Sequence, residues 1–382
     1  MRIAQLVNSL PPTIRGGSQA YVAALAAGLA DKHDVLVLSG APPNSLPDVE
    51  CVRLPHLEDP RRGASRATKS AWHLREQWLP AVHRAVLGEL RRFRPDIVHT
   101  HQPQGLSAGV FSAIASADLP HVHTAHDYNL LCVRVTMNRN GSPCGGSCLA
   151  CLLQRNVRAR LARRHLHRMI APSDFVRRVH VDAGVVPRER AVTIRQGALP
   201  GTGRLRRIRP GAPTLGYLGA VSPHKGVPTL LEAFSRLPGG WRLRVAGDGA
   251  SADLVRRAAG IDGRITYLAE IGDGDKDRFL NSIDLLVIPS EWKENAPLVA
   301  VEAAVRGLPC LVSDLGGLPE TPEAHLFRAR DTAGLAAAAT RLAASPELIE
   351  RASAHLLARR EEFLWSNHLS RVERALAEVA FG

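Results

Sequence analysis

From one end to the other the chain alternates short apolar runs with helical stretches, and that rhythm leaves few folds open. RIAQLV at 2–7, DVLVL at 34–38, DIVHT at 96–100 and PHVHTA at 120–125 read as strands, as do 168–171 and 191–194. Helical patterns at 18–31, 66–92 and 105–117 lie between them. Strands interleaved with helices pair in parallel, so an α/β fold is expected. The rhythm restarts at 213–218 (PTLGYL), runs through 241–246, 264–268, 284–288 and 309–312, and ends in helical patterns at 331–343, 346–361 and 366–380. Between the halves, PGTGRLRRIRPGAP (200–213) is rich in Gly, Pro and Arg without apolar periodicity, as a linker would be. The 382 residues suffice for two domains, and two similar α/β domains put a cleft between them where ligands commonly bind.

Composition narrows the function. With 45% hydrophobic and 22% charged residues, the chain is no disordered polymer. Lys plus Arg number 49 against 36 acids, and since only five are Lys, 44 are Arg. The resulting +13 favours anionic partners such as phosphates or acidic lipid. No run approaches the roughly 18 apolar residues of a membrane span. The opening MRIAQLVNSLPP reads as a strand and loop rather than a signal peptide, so a cytoplasmic protein is expected. Its six cysteines then read as thiols or metal ligands rather than disulfides. The fingerprints of dinucleotide binding, P-loops, serine hydrolases and zincins are all missing.

The richest segment is PSEWKENAPLVAVEAAVRGLPCLVSD (289–314), between two predicted strands. Asn295 reads as an N-cap, with Pro297 in the first turn and a helix from Leu298 to Arg306 ending at Gly307. Glu294 and Glu302 are eight residues apart, about 12 Å along a continuous helix, too far for a retaining glycosidase pair. They suit opposite ends of an elongated ligand. The backbone N–H groups of Asn295, Ala296, Pro297 and Leu298, Pro excepted, would meet an anion between them. Sugar, diphosphate and ribose in a row describe a nucleotide-sugar.

Glu294-NAPLVAV-Glu302, with Pro289-Ser290 before it and GLPCLVSDLGGLPE (307–320) after it, resembles the E-x7-E region of retaining, GT-B-fold family-4 glycosyltransferases. The resemblance implies that Glu294 binds the donor sugar and Glu302 the ribose. RGGSQAYVAALAAGL (15–29) resembles the family's Gly-Gly loop, with Gly16 and Gly17 near phosphate or acceptor. PHVHTAHDYNLL (120–131) resembles its T-x-H-D strand end, giving His126 the donor sugar; His99, His101, His121 and His123 read as structural. LGYLGAVSPHKGVPTLLEAF (215–234) resembles the phosphate-binding segment, with Gly219 at its turn and Lys225 facing the diphosphate, although Ala220 stands where many members have Arg. VAGDGAS (245–251) and ITYLAEIG (265–272) resemble the lining of the base pocket.

Cys132, Cys144, Cys148 and Cys151 fall within twenty residues, in C-x11-C-x3-C-x2-C spacing. That spacing is compatible with a structural zinc and equally with reduced thiols in a polar loop. Cys51 and Cys310 read as buried small hydrophobes. RNVRARLARRHLHRM (155–169) carries six Arg, and Val157, Leu161, Leu166 and Met169 would line one narrow apolar face. Such a helix is either a solvated face or a contact for anionic membrane at the inner face of the plasma membrane.

The resulting expectation is a GT-B enzyme. Its acceptor domain spans 1–200, with a Cys-rich insertion at 130–155; its donor domain spans 201–365; a last helix, 366–382, crosses back. It would move a sugar with retention from a UDP-, GDP- or dTDP-sugar to a hydroxyl, with no cofactor required for catalysis. A nucleotide-sugar epimerase or sugar phosphorylase of the same fold is an alternative. A basic nucleic-acid-binding protein is another, though dispersed Arg and missing motifs speak against nucleic acid.

Overall fold

The computed structural model describes residues 1–11, 16–41, 46–58, 60, 65–139, 142–144, 146, 148–199 and 213–382. The linker expected at 200–213 lies outside them apart from Pro213, as does Arg15 of the Gly-Gly loop. The chain forms two compact units. One comprises Met1–Met137, Gly145–Arg195 and Leu369–Gly382, the other Asn138–Cys144 and Gln196–His368.

In the first unit seven parallel strands stand in the order Glu50–Arg53, Asp34–Ala41, Arg2–Ser9, Ile97–Thr100, His121–Thr124, Arg168–Ala171, Ala191–Thr193. The order runs outward in both directions from Arg2–Ser9 and Ile97–Thr100. One face packs Ala4, Leu6, Leu36 and Val98 against Val82, Val86 and Leu90 of the helix Pro80–Phe93. In the second unit six parallel strands stand in the order Ile265–Tyr267, Arg242–Ala246, Thr214–Leu218, Leu285–Ile288, Cys310–Ser313, Ala324–Phe327. Leu285 and Val287 enter one core and Leu286 and Ile288 the other, the period-two alternation of a strand covered on both faces. In such sheets ligands gather at the carboxyl ends of the strands, where the order reverses.

Several expectations need correction. The helical stretch 66–92 is two helices, Arg66–Gln77 and Pro80–Phe93. Pro80 has no N–H to continue the first helix and would crowd the carbonyl of Glu76. Ser65 caps the start, accepting from Thr68 N at 3.1 Å. The basic helix is Leu149–His165, and a strand, Arg168–Ala171, follows it. Leu166 and Met169 are therefore core residues of the first unit, not part of a helix face. Cys310 is buried as expected, but Cys51 is only half-buried on the edge strand Glu50–Arg53. That strand, Ala324–Phe327 and the small hairpin Asn138–Arg139/Ser142–Pro143 are too short to announce themselves.

The histidines expected to be structural lie in the first sheet, except His101, which directly follows the strand Ile97–Thr100. His99 Nε2 meets Thr124 Oγ1 at 2.7 Å, and Thr100 Oγ1 meets His121 Nε2 at 2.8 Å and His123 Nδ1 at 2.9 Å. Burial, reinforced by neighbouring histidines, holds His121 down to about 3 and His101 and His123 well below the ordinary range; burial also holds His180 down to about 4. Below about pH 6.5 the unfolded chain takes up protons at these four sites and the folded chain does not. Stability is thus complete above that pH and falls as pH falls, by up to about 1.4 kcal/mol per histidine per pH unit. Burial raises the Asp127 carboxyl to about 6, which acts in the opposite sense but as one group against four. Denaturant midpoints should be level above about pH 7 and drop steadily from about pH 6.5 to 5. A flat or rising profile would contradict neutral burial of these imidazoles.

Candidate functional site

In the second unit the reversal lies between Thr214–Leu218 and Leu285–Ile288. Gly219 follows the first strand at φ +150, and Pro223–Lys225 forms a 3-10 turn closed by Gly226. Gly226, at φ +74, comes so close to the Pro289 carbonyl that a Cβ there would overlap it. This approach sets Lys225 beside the loop that follows the second strand. Lys225 Nζ reaches Glu294 Oε1 at 2.6 Å and lies 4.8 Å from the centre of the Trp292 ring. Ser290 Oγ and Trp292 Nε1 donate to the same oxygen, at 2.6 and 2.7 Å. Glu294 is 4% exposed, so these bonds offset the loss of water around its carboxylate.

The backbone of Glu294 is held as well. Gly317 N donates to Glu294 O at 2.7 Å, and Gly316, at φ +67, presses on the Lys293–Glu294 backbone. The helix behind it is shorter than expected: Leu298–Ala304, with Pro297 as N-cap. Asn295 is therefore not the cap but a buried residue of the preceding loop. Glu294 lies outside the helix, so the 12 Å spacing of a continuous helix does not apply. Glu302 is buried on that helix, and Lys276 Nζ lies 3.7 Å from its Oε1.

Sequence reasoning missed Lys276, Ser290 and Trp292 as neighbours of the two carboxylates. Trp292 stood in view two residues before Glu294, in a chain with five Trp. It also missed Glu291, which accepts from Thr229 Oγ1 at 2.6 Å and pairs with Arg330 at 3.1 Å. Tyr217, beneath the site, donates to Ala220 O at 2.6 Å, and its phenol is pushed up by burial and then by Glu294. Ala220 thus serves this turn through its carbonyl rather than a side chain.

In the first unit Gly16 stands before the helix Gly17–Ala30 without a side-chain cap, after the strand Arg2–Ser9. His126 Nε2 and His101 Nδ1 are 3.1 Å apart, and the Tyr21 ring meets His126 edge-on at 4.7 Å. Asp127 Oδ2 accepts from Gln102 Nε2 at 3.0 Å, and Gln102 in turn meets Ser18 and Gln19 at 2.8 and 2.9 Å. This amide network at the strand ends was also missed.

Cys148 Sγ and Cys151 Sγ are 3.5 Å apart across the start of Leu149–His165, whereas Cys144 falls in the segment counted with the second unit. The Cys148 thiol is held low, first by a backbone N–H bond from Cys151, and burial raises Cys151 to about 12. Among the described residues no group of three or more His, Cys, Asp or Glu side chains is arranged to hold a metal ion. No described helix is long and apolar enough to cross a membrane.

Residues 15–198 match the family described as Glycosyltransferase Family 4, and residues 212–345 match Glycosyl transferases group 1. The chain is a family-4 glycosyltransferase. It is 28% identical over 384 residues to the phosphatidyl-myo-inositol mannosyltransferase of Mycobacterium leprae, covering 96% of this chain and 94% of that one. Its fold is similar to sucrose-phosphate synthase from Thermosynechococcus elongatus, with TM-score 0.75 and 18% identity over 99% of this chain and 98% of the other. It is also similar to Anabaena HepE crystallised with UDP-glucose, with TM-score 0.74 and 18% identity over 99% and 100%. Both units of this family-4 glycosyltransferase thus have the GT-B type of parallel α/β sheet.

Gly316→Ala is the sharpest test of how Glu294 is held. The substitution combines an unfavourable φ with overlap onto the Lys293–Glu294 backbone. It should lower the melting temperature by at least about 2 °C and abolish glycosyl transfer. Gly239→Ala, where a Cβ meets nothing within 4 Å, should change neither.

Proposed function

We propose that this glycosyltransferase transfers a sugar, with retention of configuration, from a nucleoside diphosphate sugar to a hydroxyl acceptor, and that the second unit holds the donor. The observation that carries the reading is the convergence of Lys225, Ser290 and Trp292 on one oxygen of Glu294 at the reversal of the sheet. With Oε1 taken by these donors, Oε2 is the atom assigned to a hydroxyl of the donor sugar. Lys225, a half-buried ammonium lying over the Trp292 ring, is assigned to the diphosphate. A cation fixed before the reaction stabilises charge that develops on the leaving group without reorganisation. The loop through Asn295 and Ala296 adds backbone N–H groups on the same side.

Glu302, beside Lys276, is assigned to the ribose hydroxyls. His126 is kept as a residue of the reaction, oriented by His101 and Tyr21. No side chain here is assigned as a general base. A donor phosphate oxygen taking the acceptor's proton on the face the diphosphate leaves accounts for retention without one. The UDP-glucose bound to HepE and the mannosyl transfer named for the mycobacterial relative support an activated hexose as donor.

Glu294→Ala and Lys225→Ala should each remove most transfer without unfolding the protein, and Lys225→Ala, which strips the buried Glu294 carboxylate of its cation, should also lower the melting temperature. Glu302→Ala should weaken donor binding by about 10- to 100-fold, the range of a hydrogen bond to a charged group. Nucleoside diphosphate should be released only when acceptor is present, and proton NMR of the product should show the donor's anomeric configuration. Near-normal turnover in both Glu294→Ala and Lys225→Ala would refute the assignment, as would diphosphate release without acceptor.

A further inference from the structure

The helix Leu149–His165 is built inside out. Its buried side chains include Cys151, Gln154 and Arg158, while Leu149, Leu152, Leu153 and Val157 are 74%, 44%, 56% and 37% exposed. Those four recur at helical spacing along one side. The helix Arg66–Gln77 is tied to it by the buried pair of Arg158 Nη2 and Glu76 Oε1, 3.0 Å apart. It adds Leu74, and Trp78 at its end, 70% and 48% exposed. Nine large hydrophobic side chains are exposed among the described residues, and these six are the majority; Ile261, Leu326 and Phe381 stand on three different elements.

Charge decides what covers this face. Leu149–His165 carries Arg155, Arg160, Arg163 and Arg164 besides the buried Arg158, and no acid. Arg66–Gln77 carries Lys69 and Arg75, and its one acid, Glu76, is buried under Arg158. The face therefore presents leucines, a tryptophan and cations, with no exposed carboxylate on either helix. Pairing with a second copy would bring these arginines together with no counter-charge from either helix. A bilayer of anionic phospholipid supplies both missing partners, acyl chains for the leucines and phosphates for the arginines.

We propose that these two helices dock the enzyme on an anionic phospholipid surface, with Leu149, Leu152, Leu153, Val157, Leu74 and Trp78 at the boundary of headgroups and acyl chains. The face belongs to the first unit and Glu294 and Lys225 to the second, and none of its residues is assigned to the donor, so its test does not depend on the donor assignment. The full chain should float with vesicles of equal parts phosphatidylglycerol and phosphatidylcholine at low salt. Binding should be at least tenfold weaker to phosphatidylcholine alone, and weaker again at about 1 M salt. Leu152→Ser/Leu153→Ser should cut binding tenfold or more, and Arg163→Gln/Arg164→Gln should also weaken it, each with the melting temperature unchanged.

Failure to float at low salt would overturn the proposal. So would binding that ignores both the lipid charge and the leucine substitutions. A dimer seen by light scattering that Leu152→Ser/Leu153→Ser dissolves, with no flotation, would assign the face to a second copy instead.

Discussion

A carboxylate buried to 4% exposure can persist as an anion only where donors replace the water it has lost. At Glu294 those donors come from both sides of the sheet reversal: Lys225 from beyond Thr214–Leu218, Ser290 and Trp292 from beyond Leu285–Ile288. The arrangement requires the two loops to touch, which is why Gly226 lies against the Pro289 carbonyl. It also requires Glu294's backbone to be clamped, which is the work of the Gly316–Gly317 turn after Cys310–Ser313. Three successive strand ends thus converge on one side chain, and a parallel sheet is the architecture that brings successive ends to one edge.

The first unit repeats that logic with different chemistry. Its reversal gathers amides and imidazoles rather than an ion pair: Gln102 after Ile97–Thr100, His126 and Asp127 after His121–Thr124. Neutral groups suit a place where many side chains are buried together, since uncharged histidines carry no desolvated charge. The same choice makes this unit the acid-sensitive one.

How much of this was legible depends on how local the signal was. Glu294 and Glu302 stood in one segment between two strands, and the likeness of that segment to the E-x7-E region, more than the spacing alone, singled them out. Lys225 was legible through its neighbourhood in sequence. Lys276 was not, because its partner Glu302 is 26 positions away and only the packing of Asp273–Leu280 brings them together. The cap was misread because Asn295 has the right chemistry two residues too early, while Pro297 starts the helix without a side-chain bond. The basic helix was misread for a different reason. It was read over 155–169, whereas it runs Leu149–His165, and the leucines at 149, 152 and 153 that the reading left out point outward while polar side chains point inward.

That inversion has a local cause. Gln154 Nε2 donates to Asn129 O at 2.6 Å, and Arg158 meets the Asn129 side chain as well as Glu76. Asn129 N in turn donates to Asp127 Oδ1 at 2.8 Å. The inward face of Leu149–His165 is polar because it is the underside of the loop that carries His126 and Asp127, whose backbone groups need buried partners. Leucines excluded from that underside have only the outer face left. The same polar choice that steadies the loop at the strand ends therefore creates the apolar surface outside, and a substitution at Gln154 or Arg158 acts on both.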